Sequence, residues 1–363
     1  MKVKKARQMQ IKITNDHGED HFYVFEQQAM DAVKAALAIN RPLLVRGEPG
    51  AGKSQLAKAA AAVFQRTYIP FVVSASTEAR DLLWSFDAVA RLADAQIEGA
   101  LCKTEKQRDA ARKTLALANY IQPGPLWAAL NWQSAREQYN RFYYKDRYAK
   151  ACKKGEQADD ILPSSYENAE NAEKNGVVVL IDEIDKADSS VPNGLLEVLG
   201  ANRFQPDGLE QPVLGAKEDK REKPLIIITT NEERILPDAF IRRCLSVTLG
   251  LPRGSRQEQK NYLLNHAEPN FPALERQKIT VNDQEMTILE AAADMVLDDR
   301  ELADSKNLHP LPGQAEYFDL LRGIDRTKRR KTAAEIGELL QSLARFTSKK
   351  HPDFPKDDGK NNP

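Results

Sequence analysis

Five short apolar runs, each bounded by polar residues, punctuate the chain: "PLLVRG" (42 to 47), "YIPFVVSAS" (68 to 76), "VVVLIDE" (177 to 183), "LIIITTNE" (225 to 232) and "LSVTLG" (245 to 250). Near-continuous β-branched runs of this length predict strands covered on both faces. Between them the apolar residues take helical spacing, as at Met30, Val33 and Leu37 before the first run and Leu56, Ala59, Val63 and Phe64 after it. The alternation predicts an α/β domain around a mainly parallel, five-stranded sheet. Beyond "LPRGS" the strand pattern stops and helical periodicity takes over, as at Ile336, Leu339, Leu340 and Leu343, which predicts a smaller all-helical domain over 251–346. The ending "KKHPDFPKDDGKNNP" is charged, proline-rich and nearly free of apolar residues, so 347–363 reads as a disordered tail. One spacing is out of proportion. More than a hundred residues separate Ser54 from Val177, far beyond a single crossover helix, so additional structure is inserted there.

Composition narrows the class. Fifty-three basic and 53 acidic residues cancel, so no overall field draws nucleic acid or an anionic membrane, and such a partner would need a local patch. Three dispersed cysteines and five scattered histidines form neither a disulfide framework nor a metal signature, which suggests a reducing, cytoplasmic setting. The basic start "MKVKKARQMQIKI" lacks a following apolar segment of signal-peptide length, and no run is long enough to span a bilayer. The expectation is a soluble protein.

The chemistry concentrates at strand ends. "GEPGAGKS" follows the first predicted strand and opens a helix, meeting the spacing G-x-x-x-x-G-K-S with Gly47, Gly52, Lys53 and Ser54. Such a loop curls its main-chain amides around a phosphate, and the helix behind it aims its own N-terminal amides at the same anion. The candidate phosphate-binding residues are Gly47, Glu48, Pro49, Gly50, Ala51, Gly52, Lys53, Ser54 and Gln55. Lys53 would reach the β- and γ-phosphates, and the Ser54 hydroxyl would ligate Mg²⁺.

"VVVLIDEIDKAD" puts Asp182 and Glu183 at the end of the most apolar strand, where open sheets bind ligands. Adjacent strand residues face opposite ways, so the two acids can divide the work: Asp182 holding Mg²⁺ through water, Glu183 deprotonating the attacking water. Asp185 and Asp188 read better as solvated caps ahead of a helix. Asn231 ends the next strand, where its amide could meet a γ-phosphate or the lytic water, although by itself it reads as the start of a turn. Arg242 and Arg243 suit an arginine finger borne by a neighbouring subunit; on composition alone they read as surface cations.

Together these stretches resemble the AAA+ ATPases, specifically the MoxR-like branch: "GEPGAGKS" as Walker A, "VVVLIDEID" as Walker B, "TTN" ending in sensor 1, and "LPDAFIRRC" before the last strand. "STEARDLLWSFDAVARLADAQ" and "IQPGPLWAAL" are similar to that branch's second-helix start and GPL segment. The resemblance covers residues 22–345. It implies a P-loop αβα core over 22–250 after an N-terminal segment 1–21, then the helical lid. It further implies a second-helix insert near 84–120, an extra insertion near 131–176 and a hairpin before sensor 1 near 202–224, elements that line the client-facing side of a ring. It assigns ATP and Mg²⁺ to Lys53, Ser54 and Asp182, catalysis to Glu183, sensor 1 to Asn231 and the finger to Arg243, with Arg242 where relatives often carry Asp. ATP rather than GTP rests on this resemblance, as do a hexameric homo-oligomeric ring and a protein client, often one with a von Willebrand factor A domain. The departure is at sensor 2. Relatives carry an arginine in an SPRA-like stretch, whereas "PLPGQAEYFDLLRGI" has Gln314, with Arg322 two turns on as the substitute.

Two other functions stay open: a nucleic-acid motor of the restriction type, drawing on the basic and aromatic "REQYNRFYYKDRYAKACKK" (136 to 154), and a nucleotide-gated scaffold with little turnover, drawing on the missing arginine. The bland reading of 136–154, an amphipathic helical insert with a solvated basic face, is preferred, so nucleic acid is not the expected partner. "RTKRRK" (326 to 331) reads as an exposed turn, and Trp84, Trp127 and Trp132 as packing residues.

Overall fold

The computed structural model describes residues 9–14, 18–143, 162–215, 223–281, 284–328 and 332–349. Most of the basic and aromatic stretch, the end of "RTKRRK" and the tail from 350 lie outside the described residues. The chain divides into two compact units, one of Met30–Val45 and Ala57–Val247, the other of Met1–Ala29, Arg46–Leu56 and Thr248–Pro363.

The first unit holds the sheet. Among strands numbered in chain order, β3 (Leu43–Arg46), β4 (Thr67–Val72), β7 (Val177–Asp182), β10 (Leu225–Thr229) and β11 (Leu245–Thr248) form one five-stranded layer in the order β11-β3-β10-β7-β4. The β10–β3, β10–β7 and β4–β7 pairs are parallel, with Ile227 opposite Leu43, Ile228 opposite Ile181 and Val72 opposite Asp182. The three inner strands are buried on both faces as their apolar runs require. β4 and β11 lie at the edges and expose part of their length, which is why "LSVTLG" alternates instead of running apolar throughout. Leu44, Ile69, Val179, Ile181 and Ile228 build the core with Trp127 and Phe240.

The long interval after β4 is filled by packed structure. β5 (Trp84–Phe86) pairs antiparallel with β6 (Ile121–Pro123), and between them run helices Ala88–Leu101 and Glu105–Thr114. Helix Trp132–Tyr143 follows the short helix Pro125–Leu130. Its Trp132, Ala135 and Tyr139 enter the main core, and Tyr139 shares a hydrogen bond with Tyr166 at 2.7 Å. Its Arg136 pairs with Glu173 at 2.8 Å. The described part of 136–154 thus turns its aromatic ring at 139 inward, while Phe142 and Tyr143 are partly exposed. Trp84, Trp127 and Trp132 are buried packing residues. β8 (Arg203–Phe204) and β9 (Val213–Leu214) pair antiparallel.

In the second unit β1 (Gln10–Thr14) and β2 (Asp20–Val24) pair antiparallel, across the boundary expected at residue 21. The C-terminal part is helical: Arg256–Ala267, Pro272–Glu275, Ile288–Ser305, Gln314–Thr327 and Ala333–Thr347, around Leu263, Leu289, Val296, Tyr317, Leu321 and Leu340. One addition interrupts it. β12 (Lys278–Val281) and β13 (Gln284–Thr287) pair antiparallel, and of their residues Ile279 alone is buried. Packing also continues past 347: Ser348 is buried and hydrogen-bonds the Asp299 carboxylate, so the start of the expected tail is anchored. His266 is buried too. Its Nδ1 donates to the Tyr262 carbonyl at 2.8 Å, and burial pushes the imidazole below its usual pKa. Among the described residues no helix is long and apolar enough to cross a membrane.

Candidate functional site

The loop predicted to take phosphate lies in the second unit, with helix Lys53–Val63 rising from its end. Its bend is a main-chain property. Gly47 has φ +143°, and an added Cβ would lie 2.1 Å from the Leu249 carbonyl oxygen; Gly50 has φ +77°, and a Cβ there would lie 2.4 Å from that of Ala315. No L side chain fits at either place, for conformation and for room. The Ala51 amide closes the turn on the Glu48 carbonyl at 3.2 Å, across Pro49. Lys53 is buried, its ammonium donating to the Gly47 and Glu48 carbonyls at 2.8 and 3.0 Å. Ser54 and Gln55 lie in the first turn of that helix.

The acidic pair lies in the first unit, at the end of β7. Asp182 is the last strand residue, and its Oδ1 accepts the Thr229 hydroxyl proton from β10. That same hydroxyl oxygen accepts the Glu183 amide at 2.9 Å. Thr229 is fully buried, so one hydroxyl fixes both acids. In the sequence Thr229 is indistinguishable from an ordinary β-branched strand residue. Against the strand alternation expected of the acidic pair, Glu183 has φ +60° and has left the strand, so a left-handed turn, not the pleat, separates the two carboxylates. Asn231 donates to Glu183 Oε1 at 3.3 Å, while Lys186 forms an ion pair with Oε2. The carboxylate beside it holds the Lys186 ammonium above its usual pKa.

Asp185 is the second correction. Read as a solvated cap, it is 2% exposed, and its Oδ2 accepts the amides of Asn231 at 3.2 Å and Glu233 at 2.9 Å, tying the turn after β7 to the turn after β10. Its Oδ1 is buried with no hydrogen-bond partner among the described residues. Asp188 does cap: its carboxylate accepts the Ser190 amide at 2.9 Å, which lowers its pKa. Asp182, Glu183 and Asn231 are therefore brought together, with Thr229 and Asp185 as their framework.

Arg242 and Arg243 end helix Asp238–Arg243 with exposed side chains, and neither forms an ion pair among the described residues. Gln314 opens its helix and accepts from the Tyr262 hydroxyl at 3.2 Å. Arg322 bonds Asp319 within its own helix at 3.3 Å and lies over Phe318. The arginine of the helical part that touches the phosphate loop is instead Arg300, bonded to the Glu48 carboxylate. No local pattern marks it, since 252 residues separate the pair. Among the described residues no cluster of three His, Cys, Asp or Glu side chains could hold a metal.

Residues 42–106 and 130–244 match the family described as the AAA domain (dynein-related subfamily). No curated protein matches. Among solved structures, a mutant RuvB of Thermotoga maritima is similar at 12% identity over 88% of this chain and 68% of its own, with a TM-score of 0.38. The Thermotoga maritima RuvB Holliday junction branch migration motor is similar at 14% identity over 88% and 67%, with a TM-score of 0.35. NtrX from Brucella abortus in complex with ADP is similar at 13% identity over 93% of this chain and 58% of its own, with a TM-score of 0.42.

Proposed function

We propose that this chain, whose residues 42–106 and 130–244 match the AAA domain (dynein-related subfamily), is a cytoplasmic, MoxR-type AAA+ enzyme that hydrolyses ATP with Mg²⁺ and uses the energy to remodel or mature a protein partner. The observation that carries this reading is the hydrogen-bonded set at the ends of β7 and β10, where Thr229 fixes Asp182 and Glu183 and Asn231 reaches the Glu183 carboxylate. Loop residues Gly47 to Ser54 receive the phosphates, with Lys53 supplying the cation. The Ser54 hydroxyl and Asp182 carboxylate are hard oxygen donors that suit Mg²⁺, an ion that takes its remaining ligands from water and phosphate. When bound, the ion offsets charge on the phosphate oxygens. Glu183 accepts the proton of the attacking water, and Asn231 orients it. Arg243, with Arg242 beside it, serves the site of the next subunit in a hexameric ring; two exposed guanidinium groups without a carboxylate partner among the described residues favour that role. The client is a protein, in this reading one bearing a von Willebrand factor A domain, and it meets the inserted elements between β4 and β10.

A specific contact favours restrained turnover as a second reading. Lys186 and Asn231 both engage the Glu183 carboxylate, so the base is occupied until Lys186 lets go.

One experiment addresses the whole scheme. Wild type and Glu183→Gln are titrated with ATP with and without Mg²⁺, phosphate release is followed, and the mass of Glu183→Gln with ATP is recorded along with what co-purifies. The expected result is Mg²⁺-dependent release by wild type, and ATP-bound rings with client for the variant. A folded wild type that binds no magnesium nucleoside triphosphate overturns the proposal.

A further inference from the structure

A carboxylate is an odd residue to find inside a loop that receives a polyanion. Glu48 is the loop's sole acid, and its side chain is 47% exposed. Like charge at this distance opposes phosphate binding unless something cancels it. Arg300 meets it as a fork: Nη2 to Oε1 at 2.7 Å and Nη1 to Oε2 at 3.0 Å. Two parallel bonds of this kind fix direction as well as charge. The guanidinium is held in turn. Its side chain is only 15% exposed, and Nη1 also donates to the Pro312 carbonyl at 2.8 Å, two residues ahead of helix Gln314–Thr327. Its own helix, Ile288–Ser305, is set in the buried cluster through Val296 and Leu297. The other end of Glu48 completes the chain of contacts, because its main-chain carbonyl accepts from Lys53.

We propose that Arg300 is a positioning residue of the phosphate loop: it neutralises Glu48 and fixes the shape in which that loop and Lys53 receive a nucleotide polyphosphate. The inference rests on the nucleotide reading above. It makes Arg300 act through Glu48 and not by touching phosphate. Removing the guanidinium therefore exposes the loop's negative charge to every bound nucleotide alike, and removing that charge as well relieves the loss. ADP and ATP suffer in the same proportion. A residue that contacted the γ-phosphate would give the opposite pattern, an ATP-specific loss that Glu48 could not relieve.

The test is titration calorimetry of the full chain with Mg-ATP and Mg-ADP for wild type, Arg300→Gln, Glu48→Gln and the double variant, with circular dichroism as the check on folding. Arg300→Gln is expected to weaken both nucleotides by roughly tenfold relative to wild type, whereas the same substitution made in the Glu48→Gln background is expected to change either affinity by no more than about threefold, a coupling of the size seen for close charge pairs. Should Arg300→Gln fail to fold, Arg300→Lys keeps the charge, loses the fork and is expected to show a smaller loss with the same relief by Glu48→Gln. Unchanged affinity in Arg300→Gln, or an ATP-selective loss that Glu48→Gln does not relieve, overturns the inference while leaving the nucleotide reading in place. Failure of wild type to bind either nucleotide overturns both.

Discussion

Between Gly47 and Ser54 the shape is held by main-chain geometry and one buried ammonium, whereas around Asp182 side chains are held by other side chains. The first arrangement depends on what the backbone can do, and the second on which partners the neighbouring strand supplies. A substitution in the loop should therefore act through shape and show in affinity. One at the strand ends should act through chemistry and show in rate.

The strongest test of that contrast is Glu183→Gln, which keeps the shape and removes the base. Phosphate release should fall by about two to four orders of magnitude while the ATP dissociation constant moves by less than about threefold. Equal losses in both would break the comparison. Gly47→Ala is the counterpart in the loop. The new methyl meets the Leu249 carbonyl at 2.1 Å, so the loop must shift; affinity should drop by about tenfold or more, with roughly 1 to 3 kcal/mol of stability lost in urea denaturation.

Thr229→Val keeps the volume of a buried side chain but leaves the Glu183 amide and Asp182 without their shared partner. It should cost about 1 to 3 kcal/mol in the same denaturation experiment and slow turnover more than it weakens binding. Lys186→Gln removes the cation paired with the Glu183 carboxylate, and basal phosphate release should rise by about two- to fivefold. A fall instead would mean that the lysine helps the base.

The smallest effect is in pH. Burial depresses the His266 pKa below its unfolded value of 6.5, so the neutral ring's contribution is fully present above pH 6.5 and is lost as pH falls through the folded value. Stability against urea should decline on acidification below about pH 6.5, and His266→Asn should flatten that slope.

Much of the loop could be read in the sequence because its determinants are local: spacing of glycines, lysine and serine between a strand and a helix fixes a backbone shape. The sheet was legible for a similar reason, since continuous apolar runs mark strands buried on two faces. What escaped was set by distant neighbours. Thr229 looks like any β-branched strand residue until β7 is placed beside β10. Asp185 sits among charges that suggest solvent, yet two amides from another turn draw it inward. Glu183 needed knowledge of a left-handed turn that its residue type does not announce. Arg300 is separated from Glu48 by most of the chain, and only the packing of the C-terminal helices delivers it.

That last separation matters during synthesis. Residues 46–56 belong to the compact unit that 248–363 complete, and the Gly50 backbone rests against Ala315. A nascent polypeptide on the ribosome has translated its glycine-rich signature long before the floor beneath it emerges. A chain truncated near residue 247 would keep the whole motif in its text and lack the support for it, so ligand capture should mature only with the final third of translation.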